Sequence, residues 1–328
     1  MSNWLLYAIT VMVWGTTWLA IEFQIGIVPP ETSVFYRYVL ASTLLFAWCL
    51  LRGQSLRFDR RAHGYFLLLG LLLFSLNYVL TYHAQQYITS AVAAIAFSTM
   101  LWLNMLNSRI FFGLRTGRSL LTGSLLGVAG ITVLFLPEIR ALSFSDATLF
   151  GAGLAIAGAL VASLGNMVSQ AAQRDGLPIV QSNAWGMLYG AILTGLSVAA
   201  TGKPLSIDLS TSYLASLAYL AVFGSIVGFG SYLTLLGRIG ASRAGYAMVM
   251  FPVVAILASV IAGETVLDWN LVAGSVLVLG GNFFILRSGK RPATDRVSSR
   301  TEVPGYSSSP PCQEINFQPV PSRTRTSV

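Results

Sequence analysis

The sequence predicts an all-α polytopic membrane protein: ten transmembrane helices as two inverted five-helix repeats. Composition is the first reason. Of 328 residues, 55% are hydrophobic and only 10% charged, whereas a soluble domain carries about 25% charged residues to cover its surface. The second is block length. The apolar residues fall in runs of about 20, the number a helix needs to cross ~30 Å of hydrocarbon at ~1.5 Å per residue. The third is an internal similarity at about half the length of the apolar portion.

Apolar runs between charged or turn-rich breaks give ten spans: 4–22, 33–51, 65–84, 90–112 and 119–137, then 148–172, 182–200, 212–236, 241–263 and 268–286. A transmembrane β-barrel needs alternating segments of ~10 residues, and these runs are continuous. The first run follows Met1-Ser2-Asn3 directly. It lacks a basic lead and a small-residue cleavage site, so it reads as a retained span. Cys49 and Cys312 have no zinc or haem spacing, and no cofactor or metal is expected.

Charge sets the expected orientation, because basic loop residues stay cytoplasmic. With the N-terminus inside, the inner loops hold Arg52, Arg57, Arg60, Arg61, Arg109, Arg115, Arg118, Arg174, Arg238 and Arg243. Seven more basic residues follow Leu286, leaving only Arg37, Arg140 and Lys203 outside. Both termini are therefore expected in the cytoplasm, in a cell (inner) membrane. Residues 287–328 are rich in Ser, Pro, Thr and Arg and bury too little apolar surface to offset ordering entropy, so they read as a disordered tail.

The repeat shows in paired segments. Thr89-Ser90-Ala91-Val92-Ala93 pairs with Ala241-Ser242-Arg243-Ala244-Gly245, and Gly123 through Gly130 pairs with Gly274 through Gly281. Five is an odd number of spans, so residues 1–137 and 138–286 would face opposite ways across the membrane. Inverted repeats place a transporter's binding site near the midplane between the halves.

Specific motifs add a resemblance. Phe251-Pro252-Val253-Val254-Ala255 through Ala262-Gly263-Glu264, followed by a glycine-bearing last helix, resembles the C-terminal signature of EamA-type transporters of the drug/metabolite transporter superfamily. Trp14-Gly15-Thr16-Thr17-Trp18 and Arg37 are similar to that family's first- and second-span motifs. The resemblance covers residues 4–286. It implies a secondary transporter that exports small metabolites, such as amino acids or drug-like compounds, by alternating access. The first repeat has Met100 and Gly113 where the second has Pro252 and Glu264, so whatever proline and glutamate do there is asymmetric.

Polar and aromatic residues within spans mark candidate contacts, since hydrocarbon makes them costly unless they face the bundle interior. Asn104 and Asn166 lie near the middles of their spans, with Ser98 close by. Trp14, Tyr78, Tyr82 and Tyr232 are placed to wall an apolar or amphiphilic substrate. The alternative for each is interhelical bonding or ordinary packing. Pro252 removes a helix N–H and bends the ninth span. No Asp, Glu, Lys or Arg falls at a span centre. Glu22 and Arg37 sit near the outer ends of consecutive spans, as a structural clamp or outer gate, and Glu264 ends the ninth. The lack of a deep cation argues against sugar phosphates and nucleotide sugars.

Other classes fit less well. An intramembrane enzyme needs a nucleophile, base or metal set at one depth, and no HExxH, paired deep carboxylates or phosphate loop appears. A non-transporting scaffold leaves the repeat and the deep asparagines without a purpose. The partners expected are a small-molecule substrate and membrane lipid, with no nucleic acid. Glycine stripes such as Gly151/Gly158/Gly165 favour packing within the chain, with a homodimer as the other use of such stripes. The ten-span topology makes a direct prediction. Reporter fusions after Leu286 and after Ser143 will report opposite sides of the membrane; both on one side would refute it.

Overall fold

In the computed structural model, residues 1–141, 145–261 and 268–287 are described, and all their regular secondary structure is helical. Ten long helices follow one another: α1 (Asn3–Glu22), α2 (Pro30–Leu51), α3 (Arg60–Ala84), α4 (Ser90–Phe112) and α5 (Arg118–Leu134). Then come α6 (Asp146–Arg174), α7 (Ile179–Ala200), α8 (Thr211–Ile239), α9 (Ala247–Ile261) and α10 (Trp269–Arg287). Five of them, α1, α2, α3, α6 and α8, are long and apolar enough to cross a membrane. Each sequence-derived span falls on one helix, with ends displaced by a few residues. The ninth span differs most, because Gly240 at φ +86° ends α8 and a single short helix, Ala241–Ala244, precedes α9. Glu264 and the tail from residue 288 lie outside the described residues, and the boundary expected at residue 137 falls in the short helix Leu136–Ala141.

Local chemistry explains the starts. Ser2, Thr89, Ser145 and Ser210 each accept a hydrogen bond from the N–H three residues on, capping α1, α4, α6 and α8 and satisfying donors that a helix start leaves free. Pro29-Pro30 and Pro178 open α2 and α7, where a missing N–H costs nothing.

The burial pattern is that of a protein in lipid. Leu51, Ile110, Phe111, Val276 and Phe283 are exposed, while Asn77, Asn104, Asn107, Asn166, Ser163 and Thr194 are buried. Polar side chains bond helix to helix: Asn107 Nδ2 donates to Ser163 Oγ at 2.9 Å, and Thr194 Oγ1 to Ser75 Oγ at 2.9 Å.

Helix pairing repeats itself. α1 packs on α8 and α9, as α6 packs on α3 and α4; α2 packs on α7, and α5 on α10. Exchanging each helix with the one five places along returns the same pairs. Both α3 and α8 also contain a π-helical stretch, Leu72–Leu76 and Leu220–Val227. Each stretch holds a serine that accepts from a facing helix, Ser75 from Thr194 and Ser225 from Arg37.

Glycine makes the α5–α10 pair possible. A Cβ on Gly130 would lie 2.7 Å from Val278 Cγ2 and 2.8 Å from the Gly274 carbonyl, and a Cβ on Gly274 would lie 2.7 Å from the Gly130 carbonyl. Because backbone atoms stand in the way, a larger residue must push the helices apart, at about 1–3 kcal/mol for overpacking. Gly130→Val will lower the melting temperature of the purified protein by several degrees. An unchanged melting temperature would show that the close crossing contributes little.

Candidate functional site

Seven helices line a cavity of about 80 Å³. α1 supplies Trp14, Thr17 and Ile21; α2 supplies Arg37; α3 supplies Leu73, Asn77, Tyr78 and Thr81. Phe97 and Met100 come from α4, Ala162 and Asn166 from α6, Phe229 and Tyr232 from α8, and Met248 and Phe251 from α9. The α5–α10 pair contributes nothing to this lining.

Trp14 organises one wall. Its Nε1 donates to the carbonyl of Gly224 at 2.9 Å, so a deep indole N–H has its partner. The ring lies against Gly228, where a Cβ would strike Nε1. Phe229, Tyr232 and Phe251 surround it with centroids at 4.9, 5.0 and 5.7 Å. The Phe229 and Phe251 contacts are edge-on, the favourable geometry for aromatic quadrupoles.

An amide network lies on the α6 side. Asn166 Nδ2 donates to the Tyr232 hydroxyl at 3.0 Å and to Asn104 Oδ1 at 3.2 Å, and its Oδ1 finds no donor. Asn104 lies behind Asn166, fully buried, its Nδ2 donating to the Ala241 carbonyl at 3.4 Å. It is absent from the cavity lining. Below it a polar seam joins the helices: Ser242 Oγ bonds Ser108 Oγ at 3.1 Å and the Asn104 carbonyl at 3.3 Å, and Ala241 N–H donates to Gln170 Oε1 at 3.1 Å. This seam lies towards the end of the bundle that carries Met1, whose carbonyl accepts from Arg238 Nη1 at 2.8 Å.

Of the candidates read from sequence, Trp14, Tyr78, Asn166 and Tyr232 line one cavity. Tyr82, Ser98 and Asn104 do not. The Tyr82 hydroxyl donates to Gln24 Oε1 at 3.1 Å, and Ser98 Oγ turns back to the Ile95 carbonyl at 2.6 Å. Their depth was readable but their helix face was not. Pro252 lies within α9 next to Phe251, and Gly15 of α1 packs against this part of α9, near the Phe251 carbonyl and Val254. Glu264 lies outside the described residues.

Arg37 corrects the expectation that no deep cation exists. It is 1% exposed and lines the cavity. The apolar run starts at residue 33, which puts Arg37 near the span end. α2 begins at Pro30, which makes Arg37 its eighth residue, about 10 Å along the helix from its start. Its Nε donates to Ser225 Oγ at 2.9 Å and its Nη2 to the Tyr78 hydroxyl at 3.4 Å. The guanidinium carbon stands 4.6 Å from the Tyr78 ring centre and 5.6 Å from that of Tyr38. These partners are neutral, and Glu22 is exposed at the end of α1.

Among the described residues an ionic clamp at this end of the bundle centres on Glu31. Glu31 Oε1 lies 2.6 Å from both Lys203 Nζ and His83 Nε2, tying α2 to α3 and to the α7–α8 connection. Glu31 was missed because it stood outside the apolar run. Phe97, Phe229 and Phe251 were also missed, although a signal existed. Trp14/Thr17/Ile21, Phe97/Met100, Ala162/Asn166 and Phe229/Tyr232 recur at three- or four-residue steps, each set facing one way.

Comparisons with known proteins accord with this architecture. A family model described as EamA-like transporter family matches residues 2–136 and again residues 149–287. An "Uncharacterized transporter" of Archaeoglobus fulgidus is 27% identical over 288 residues, 88% of this chain and 99% of that protein. The "Uncharacterized inner membrane transporter YedA" of Escherichia coli K12 is 28% identical over 270 residues, 81% of this chain and 85% of that protein. A solved crystal structure superposes with a TM-score of 0.74 at 22% identity, covering 88% of this chain and 97% of that one, and so shares its fold. The chain belongs to the EamA-like transporter family and is a multi-pass membrane transporter.

Proposed function

We propose that the chain is a secondary transporter exporting small metabolites, such as amino acids or drug-like compounds, across the inner membrane by alternating access. Residues 1–137 and 138–286 act as inverted five-helix halves, and both termini are cytoplasmic. The cavity carries this reading: it is ringed by α1, α3 and α4 of one half and by α6, α8 and α9 of the other. The pairing that survives exchange of the halves, and the family match that occurs twice, support the repeat. Basic-loop asymmetry supports the orientation, and the Escherichia coli relative, an inner membrane transporter by name, supports the inner membrane. Export follows the family resemblance. The transporter names of the relatives speak against the intramembrane enzyme and the scaffold.

In this reading the structure has its cytoplasmic end closed by the Asn104–Ser242–Ser108–Gln170 seam. The seam consists of neutral hydrogen bonds at 3.1–3.4 Å, each worth about 0.5–1.5 kcal/mol net. Conformational exchange needs such a modest closure. Pro252 removes one helix bond from α9 beside the cavity-lining Met248 and Phe251, where freed backbone is tolerated. Trp14, Tyr78, Asn166 and Tyr232 touch the substrate, while Asn104, Ser98 and Tyr82 hold the wall from behind. Gly123, Gly127 and Gly130 of α5 and Gly274 and Gly281 of α10 pack inside the chain, so the reading needs no homodimer.

The two asparagines separate contact from support. In vesicles screened with a panel of amino acids and aromatic cations, Asn166→Leu will raise the half-saturation concentration about 5- to 150-fold, the loss of one buried hydrogen bond worth about 1–3 kcal/mol. Asn104→Leu will lower the melting temperature with a smaller change in half-saturation. Unchanged half-saturation in Asn166→Leu would remove this amide from the site.

A further inference from the structure

Arg37 has no structural reason sufficient for its cost. A guanidinium 1% exposed inside a membrane bundle has lost its water, and a buried charge is expensive unless a counter-charge meets it. Its partners are the neutral hydroxyls of Ser225, Tyr78 and Tyr82, and Nη1 has no acceptor at all. The Tyr78 and Tyr38 rings attract the cation without neutralising it. The nearest acid along the same helix, Glu31, has Oε1 engaged by Lys203 and His83.

The surroundings hold the cation in place. Gly224 leaves the necessary space, since a Cβ there would come within 3.0 Å of Nη2. Two further polar atoms of the same lining lack partners, Asn77 Oδ1 and Asn166 Oδ1. An unfilled charged donor and two unfilled neutral acceptors thus share one otherwise mostly aromatic and aliphatic cavity. Unsatisfied buried groups of this kind are rare in finished interiors, and together they have the complement of a ligand.

We infer that Arg37 is the receptor for an anionic group of the transported compound, a carboxylate carried on an apolar or aromatic body. This rests on the reading of the cavity as the transport site. A carboxylate matches one guanidinium charge and bonds to it in charge-assisted geometry. A phosphate dianion would leave a charge uncompensated beside a single guanidinium. Hydrogen-bond donors on the ligand would face Asn77 and Asn166.

The test uses the full-length purified protein and four probes sharing a phenyl body: 3-phenylpropionate, its amide, 3-phenylpropylamine and phenyl phosphate. Binding is followed by Trp fluorescence and thermal shift. The wild type will bind the acid at least about 10-fold more tightly than the amide or the amine. Arg37→Gln will bring acid and amide within about 2-fold, and Arg37→Lys will fall between. The ligand-free melting temperature of Arg37→Gln will not drop, because an uncompensated charge has been removed; a drop of several degrees with the acid preference intact would make Arg37 a structural clamp instead. Ala162→Phe, which fills the cavity, tests the site itself by abolishing binding of every probe. Acid and amide binding equally well, preference for phenyl phosphate, or no binding of the acid at all overturns the Arg37 assignment. If Ala162→Phe leaves binding intact, the cavity is not the site and both readings fall. If it blocks binding without any acid preference in the wild type, only the Arg37 assignment falls.

Discussion

The indole N–H of Trp14 donates to the carbonyl of Gly224 at 2.9 Å, and much of the cavity depends on this bond. It ties α1 to the π-helical stretch of α8. It fixes the ring around which Phe229, Tyr232 and Phe251 pack. The bond needs two glycines. Gly228 lets the indole lie against the α8 backbone, and Gly224 leaves room for the Arg37 guanidinium and the Thr17 side chain. A donor buried in hydrocarbon must find its acceptor inside the protein. That requirement sets how closely α1 approaches α8, and hence the width of the cavity between the halves.

The same constraint governs the rest of the bundle. With little water to solvate them, polar side chains serve as ties between helices, as with Asn107 to Ser163, Thr194 to Ser75 and the Tyr246 hydroxyl to the Val278 carbonyl. The helices far from the cavity, α5 and α10, meet glycine against glycine and act as a rigid flank. Ties also cross the cavity wall, from Trp14 to Gly224, Arg37 to Ser225 and Asn166 to Tyr232, yet Arg37 Nη1, Asn77 Oδ1 and Asn166 Oδ1 lack partners there. This contrast between a satisfied flank and an unsatisfied centre fits a molecule that binds and releases cargo at its middle.

The helices were legible because hydrocarbon imposes a length and a composition. The chemistry of the centre was legible where a polar or aromatic residue interrupts an apolar run, as Trp14, Tyr78, Asn166 and Tyr232 do. Rotation about the helix axis was harder. Asn104 and Asn166 look equivalent in sequence, yet one lines the cavity and the other supports it from behind. Arg37 lies deeper than the apolar run implies for a different reason: Pro29-Pro30 starts the helix before that run and carries the guanidinium inward. Glu31 is the reverse case: a charge outside the apolar run became the centre of a clamp that only tertiary structure reveals.

The central claim is that one cavity between two matched halves is reached from each side of the membrane in turn. Met100, buried on its wall, offers the most direct measurement. In a background with Cys49 and Cys312 replaced by serine, Met100→Cys is exposed to a membrane-impermeant thiol reagent applied to either face of sealed vesicles. The account predicts labelling from both faces, suppressed on both by the transported compound. Labelling from one face alone, or labelling that the compound does not affect, would contradict it.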